Sequence, residues 1–466
     1  MILFIQSLRI CLLFRKMKKK MASFATLTLT KKNSFIFILI FTSVTVIDST
    51  IVEFSSYSGA RIPIWLNVAI FVIFSILFLT SSPILLNYVR RIVSRDSYQA
   101  MPLGLRYFHI IISATLILTG SVLLIIIFQM LVLNKYSLNL LEAQTYISYI
   151  SALVFLSFLI FLFVGWLTSK RNYIIMLYTI AFSLVSVNLV ISLIYIESYF
   201  SFSVLRDVKP YPITSFVVNL PGSPITESLS VVFDILSLSS FLLMWVATGI
   251  LLSQYRRKMG RIKFFSLMSI PLIYYIFPFQ NYFGDVFFLL LSSSPAIFSV
   301  IYVLIFSATK QVGALLFSLS FWTASSLIHH DRVYKSLLIS SIGMVILFCS
   351  TEIAPLRSHV YPPYGLITEA FIPLGAYLLL VGIFTSAQQI SQDARLRREF
   401  YKSAESQLSL LKDIGVSQME KEFEAKIKSL QQRSRLLERK DEPHLEEEHV
   451  KEVLRDVLNE LYYSNK

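Results

Sequence analysis

Residues 107–133 read YFHIIISATLILTGSVLLIIIFQMLVL, without one Asp, Glu, Lys or Arg. As an α-helix this stretch is roughly 40 Å long, more than the ~30 Å of hydrocarbon in a bilayer. Its apolar residues follow one another directly, without the alternation of a barrel strand. In lipid every backbone N–H and C=O must pair within the chain, so a span is either a helix or part of a closed barrel. The continuous run selects the helix.

Comparable runs recur from Phe35 to Ala387. We read eleven segments: Ser34–Val52, Ile64–Leu86, Tyr107–Leu133, Tyr146–Thr168, Tyr173–Ile196, Leu229–Leu252, Lys263–Phe279, Val286–Phe306, Gly313–Ile328, Ser336–Thr351 and Tyr364–Ala387. The composition agrees: 55% of residues are hydrophobic and only 15% are charged, against about 25% charged in soluble domains. The mean hydropathy is +0.67. The predicted fold is all-α, a polytopic transmembrane helical bundle with a C-terminal coiled-coil or helical-hairpin tail. Residues 1–33 form a basic N-terminal stretch. Residues 34–388 form the membrane domain, with an external loop at 197–227, and 389–466 form the tail.

The formal net charge is +14, from 42 Lys and Arg against 28 Asp and Glu. The excess sits at the ends of apolar runs rather than in a patch, which fits anionic headgroups and excludes nucleic acid. The lipid bilayer is the partner this implies. Lys18–Lys20 with Lys31 and Lys32, then Arg90, Arg91, Arg95 and Arg106, then Lys170 and Arg171, then Arg256, Arg257, Lys258, Arg261 and Lys263 fall on one side of alternating spans. The positive-inside rule makes that side cytoplasmic, with the N-terminus inside. Arg395, Arg397, Arg398 and Lys402 place the tail there too. Eleven full crossings cannot begin and end on one side. Lys263–Phe279 is short and holds Pro271 and Pro278, so a broken or re-entrant helix there would leave ten spans. A proline-kinked ordinary helix competes with that reading, and twelve spans follow if two elements have been merged. The opening MILFIQSLRICLLF precedes RKMKKK, a signal sequence in reverse order, and Met17 or Met21 is an alternative start.

Ionisable residues inside apolar segments are expensive and are functional candidates for that reason. The deepest carboxylates are Asp234, in VVFDILSLSS, and Glu369, in LITEAFIPLG; each is a candidate proton or cation site. Pro271 and Pro278 are candidates for a helix break that opens a cavity. Asp48, Asp285 and Glu352 lie at segment ends, within reach of water or headgroups, and read as boundary residues. His329-His330-Asp331 is the one tight grouping of metal-ligand types, but neighbours on a helix point about 100° apart and do not chelate one ion. Cys11 and Cys349 are the only cysteines, which excludes a disulfide framework. No phosphate loop, nucleophile elbow, zinc-protease helix or kinase signature occurs. Neither a cofactor nor an enzymatic activity is expected. The 14 glycines are about 3% of the chain against ~7% usually. That scarcity argues against helices that slide past one another, although serines such as Ser237, Ser239 and Ser240 can replace glycine at close crossings.

No proline or glycine separates Ile383 from Ile414, so a continuous helix from Tyr364 should enter the tail. Phe400, Ala404, Leu408 and Leu411, then Phe423, Ile427, Leu430 and Leu437, form a narrow stripe that calls for a partner helix. Gly415 interrupts its register. The partner is either a second copy or a last helix after Pro443, carrying Val450, Leu454, Val457 and Leu461 and folding back as a hairpin.

Tyr361-Pro362-Pro363-Tyr364-Gly365, Gly382-Ile383, Ser386-Ala387, Leu396-Arg397-Arg398, Asp413-Ile414-Gly415 and Gln418-Met419-Glu420 resemble the C-terminal region of a family of uncharacterised multi-pass membrane proteins from archaea. The resemblance implies the membrane class and carries no activity. The layout also resembles the membrane half of two-component receptors, without a kinase or other output domain. A membrane sensor or scaffold is therefore the expected function, with a small-solute or ion transporter as the alternative.

Overall fold

The structure is a computed structural model that describes residues 36–48, 64–96, 103–169, 172–202, 207–208, 224–253, 256, 260–276, 311–323, 331–351, 361–363, 365–392, 414–421, 424–425 and 427. Its helices are α1 (Ile36–Asp48), α2 (Ile64–Asp96), α3 (Leu103–Leu133), α4 (Leu138–Ser169), α5 (Tyr173–Phe202), α6 (Pro224–Ser253) and α7 (Arg261–Ile276). They continue with α8 (Gln311–Thr323), α9 (Asp331–Thr351), α10 (Leu366–Ala370), α11 (Ile372–Gln392) and α12 (residues 414–421). Two short strands, β1 (Tyr136–Ser137) and β2 (Asp207–Val208), pair antiparallel, so the segment read as an external loop is partly ordered. The expected span Val286–Phe306 lies outside the described residues, as do Pro278, His329, His330, Cys11, residues 1–33 and most of the tail.

Seven described helices are long and apolar enough to cross a membrane. Their outward faces confirm what surrounds them. Trp65 is 71% exposed, Ile117 69%, Phe161 68% and Phe128 62%; apolar faces of this extent are untenable in water and match lipid. The chain is an integral membrane protein built as a helical bundle. Hydroxyl side chains enter these helices by bonding back to their own backbone, as Thr42 to Ile38 O, Ser75 to Phe71 O and Thr179 to Ile175 O. Asn134, with φ +50°, ends α3 in the left-handed conformation.

The buried centre is α9 against α10 and α11: the apolar core of α9 is 89% enclosed and that of the span Leu366–Ser391 100%, where the other long spans bury 33–50%. Helices α9 and α11 run antiparallel, and their backbones touch. A Cβ on Gly343 would lie 2.5 Å from Leu379 N, one on Gly375 2.6 Å from Leu347 N, and one on Gly382 2.6 Å from Ser340 N. Lipid gives helices no hydrophobic reason to associate, so close backbone approach and hydrogen bonds carry the packing. Three of the 14 glycines, Gly343, Gly375 and Gly382, lie at this crossing. Helix α8 joins through serines: the hydroxyls of Ser318 and Ser341 each donate toward the other's carbonyl oxygen, at 2.9 and 2.8 Å.

The last apolar segment is not one unbroken helix. It turns at Phe371 between α10 and α11. Pro373 has no N–H to donate to Glu369 O, and the Phe371 N–H bonds Thr368 O at 3.1 Å, a tighter turn than the α-helical one. Conversely, α7 runs through Pro271 without a break as far as Ile276. Pro271 is buried there. The Trp245 indole N–H bonds Met268 O at 3.0 Å, beside the carbonyl that Pro271 leaves without its helical donor.

Not every close glycine matters equally. A Cβ on Gly249 would meet only the Met268 methyl, at 2.8 Å, the end of a flexible side chain. Gly249→Ala should therefore change the melting temperature in detergent by no more than about 2 °C, an effect of under ~1 kcal/mol.

Candidate functional site

Asp48 closes α1, and it is buried to 1% exposure. It is not the solvated boundary residue that its position at a segment end suggests. The chain approaches it at Gly365, whose φ of +89° is a conformation open to glycine and strained for other residues. That turn lets the Gly365 N–H donate to Asp48 Oδ2 at 3.2 Å. The Thr368 hydroxyl donates to the same oxygen. Asp48 Oδ1 is buried with no hydrogen-bond partner.

Glu369 follows Thr368 and is fully buried. Its Oε2 lies 3.1 Å from Thr145 Oγ1. The same Thr145 oxygen is 3.1 Å from the carbonyl oxygen of Leu141, and its single hydrogen can serve only one of them. Glu369 Oε1 has no partner. Gln144, Thr145, Ser148 and Tyr149 form one buried stripe of α4, at helical spacing. The Gln144 amide donates to Ser148 Oγ at 3.0 Å, while Gln144 Oε1 and the Tyr149 hydroxyl are buried and unpartnered. The two carboxylates are neighbours in space, because Asp48 is held by Thr368, the residue that precedes Glu369, and Tyr149 lies one turn beyond the Thr145 that contacts Glu369. Among the described residues no Lys, Arg or His is placed against either carboxylate.

The two carboxylates singled out in the sequence are not brought together. Glu369 belongs to this cluster, whereas Asp234 is on the exposed face of α6 beside Val231, Val232 and Ile235. No protein-family model, curated protein or solved structure matches this chain. The site is therefore read from its own chemistry.

That chemistry is one of oxygen atoms. Among the described residues no three His, Cys, Asp or Glu side chains gather as metal ligands. The cluster offers two carboxylates, two threonine hydroxyls, one amide oxygen and one phenol, which suits holding a proton or a small hard cation. An open groove of about 550 Å³ at the same end is apolar apart from Asn134 and Tyr361.

Two further contacts were not singled out in the sequence. His109 Nδ1 lies 2.9 Å from the Tyr377 hydroxyl, joining α3 to α11; an ionisable ring inside an otherwise uncharged run was the available signal. At the opposite end of the bundle, residues 414–418 dock. The Trp166 indole N–H donates to Gln418 Oε1 at 3.2 Å, the Ser417 hydroxyl bonds Trp166 O at 3.4 Å, and Gly415 leaves no room for a Cβ beside Ile390, whose Cγ2 would be 2.3 Å away. These residues group with the bundle, the compact units dividing at 418/419, although the sequence reading assigned them to the tail.

Proposed function

We propose that the chain is a membrane sensor in which the Asp48–Glu369 cluster and the docked segment 414–418 report on each other. One observation carries this reading: the same two helices build both places. Helix α4 supplies Gln144, Thr145 and Tyr149 at one end and Trp166 at the other; α11 follows Glu369 at one end and seats Gly415 against Ile390 at the other. A change at the carboxylates that shifts either helix must change the dock. The resemblance to archaeal multi-pass proteins rests partly on Gly365, Gly382, Gly415 and Gln418, which here turn the chain, pack the crossing and dock the tail. The end of the bundle with Arg90, Arg91, Arg106 and Lys335 is the cytoplasmic one in this reading, so the dock and tail are on the cytoplasmic side of the cell membrane and the carboxylates are toward the outside. The tail beyond the dock pairs with a second copy or with itself.

Hydrogen exchange of the full chain in detergent micelles tests the coupling. Gly415→Leu, which cannot seat against Ile390, defines the undocked segment. Glu369→Gln should raise exchange at 414–418 by about tenfold, within the usual ~1–3 kcal/mol of an allosteric coupling. Exchange there that is identical in wild type, Asp48→Asn and Glu369→Gln sinks the sensor reading. The buried carboxylates favour a second reading, an ion transporter, whose mark is cation flux in reconstituted vesicles that Glu369→Gln abolishes.

A further inference from the structure

We infer that Asp48 and Glu369 bind a single Na⁺-class alkali cation in exchange for one proton, with the Thr145 hydroxyl, already in contact with Glu369, as a neutral oxygen ligand. This rests on the same cluster as the sensor reading and names its ligand. Asp48 Oδ1, Glu369 Oε1 and Gln144 Oε1 are all buried without a partner, and two of them are carboxylate oxygens, the groups that burial without a partner penalises most. Tyr149, also unpartnered, lies one turn beyond Thr145, the residue that contacts Glu369. Threonine hydroxyls that have given away their hydrogen keep acceptor lone pairs. Every donor is a hard oxygen, the ligand class of alkali and alkaline-earth ions rather than transition metals.

Charge then decides the stoichiometry. Two ionised carboxylates with no facing cation would carry two negative charges into a low-dielectric interior, at prohibitive cost. Two protons neutralise the pair, and one proton plus one alkali cation does so equally well. A proton on Glu369 also lets both Thr145 contacts be hydrogen bonds, Glu369 donating to Thr145 and Thr145 to Leu141 O. Cation entry therefore breaks one carboxylic O–H, releases that proton to water and places the ion on the carboxylate left behind. The titratable side chain nearest the pair is Tyr149, one turn beyond Thr145 on α4, while the Cys349 thiol of α9 lies against Thr42 and Thr45 of α1. A divalent ion would need both protons expelled, with only neutral oxygens to complete its larger shell.

The experiment is radioactive Na⁺ binding to the detergent-purified full chain, with proton release followed by a dye in weakly buffered solution. One proton should appear per Na⁺ bound, and apparent affinity should weaken about tenfold for each unit by which pH is lowered, because protons compete for the same carboxylate. Asp48→Asn and Glu369→Gln should each abolish binding, while Asp234→Asn leaves it unchanged. Thr145→Val keeps both carboxylates and should weaken affinity severalfold, which preserves the test if the carboxylate variants do not fold. Absence of Na⁺ binding in the wild type, binding without proton release, preference for Ca²⁺, or binding unchanged in all three site variants overturns the inference. Na⁺ binding that leaves exchange at 414–418 unmoved removes the sensor reading alone; coupling of Glu369→Gln to the dock without Na⁺ binding removes this inference alone.

Discussion

Gly343→Val should leave almost no monodisperse protein when the chain is extracted in detergent and sized by gel filtration. The first atom added at this position would lie 2.5 Å from Leu379 N, 2.9 Å from Gly375 O and 3.0 Å from Leu378 C. All three are backbone atoms of the facing helix and cannot swing aside as a side chain does. Relief requires α9 and α11 to separate, and overpacking ordinarily costs about 1–3 kcal/mol even where side chains can adjust. Here separation also strains the contact between Ser336 and Gln389 and the serine pair that holds α8. Gly382→Val should behave alike, since Ser340 N and Ser336 O, also backbone, are 2.6 and 2.7 Å from its Cβ. Near-normal yield and melting temperature in both variants would show that the two helices do not touch through their backbones.

The second large effect is expected at Asp48. Removing its carboxylate in Asp48→Ala strands the Gly365 N–H and the Thr368 hydroxyl without their buried acceptor, at about 1–3 kcal/mol for each group left unsatisfied. It also unties α1 from the turn that carries Glu369. The chain contains a native reporter of this event. Cys349 is fully buried, with Thr42 and Thr45 of α1 reaching its thiol. In a Cys11→Ser background, maleimide labelling of Cys349 should be negligible in the parent chain and at least about tenfold faster in Asp48→Ala, a factor equal to ~1.4 kcal/mol of opening free energy. Asp48→Asn keeps an acceptor oxygen for Gly365 and Thr368 and should label nearly as slowly as the parent. Equal rates in all three chains would mean that Asp48 does not hold α1 in place.

How much of this was legible in the residues follows from which forces are local. The helices were, because bilayer length and the need to pair every backbone group inside one segment are properties of a run such as 107–133. The depth of Glu369 was legible too, from the apolar residues on either side. The burial of Asp48 was not: a carboxylate at the end of a segment reads as solvated, and only the distant turn at Gly365 supplies its donors. Which face Asp234 takes was not legible either, since the outward side of its helix is itself apolar, with Val231, Val232 and Ile235 beside it. The glycine count could not show where the close crossing falls, since that depends on position, and Gly343, Gly375 and Gly382 face the partner backbone. Pro271 and Pro373 are equally prolines in sequence. One sits inside a continuous helix and the other follows a turn, a difference set by neighbours such as Trp245 and Thr368 rather than by the ring itself.

Lipid surrounds the outer helices while α9 and α11 are sealed among them. Carbene footprinting from a photoreactive lipid in reconstituted vesicles, read by mass spectrometry, tests this most directly. Label should fall on Trp65, Ile117, Phe128 and Phe161 and should miss residues 378–381. Heavy labelling of 378–381, or none on the outer four, would contradict the architecture on which the carboxylate site depends.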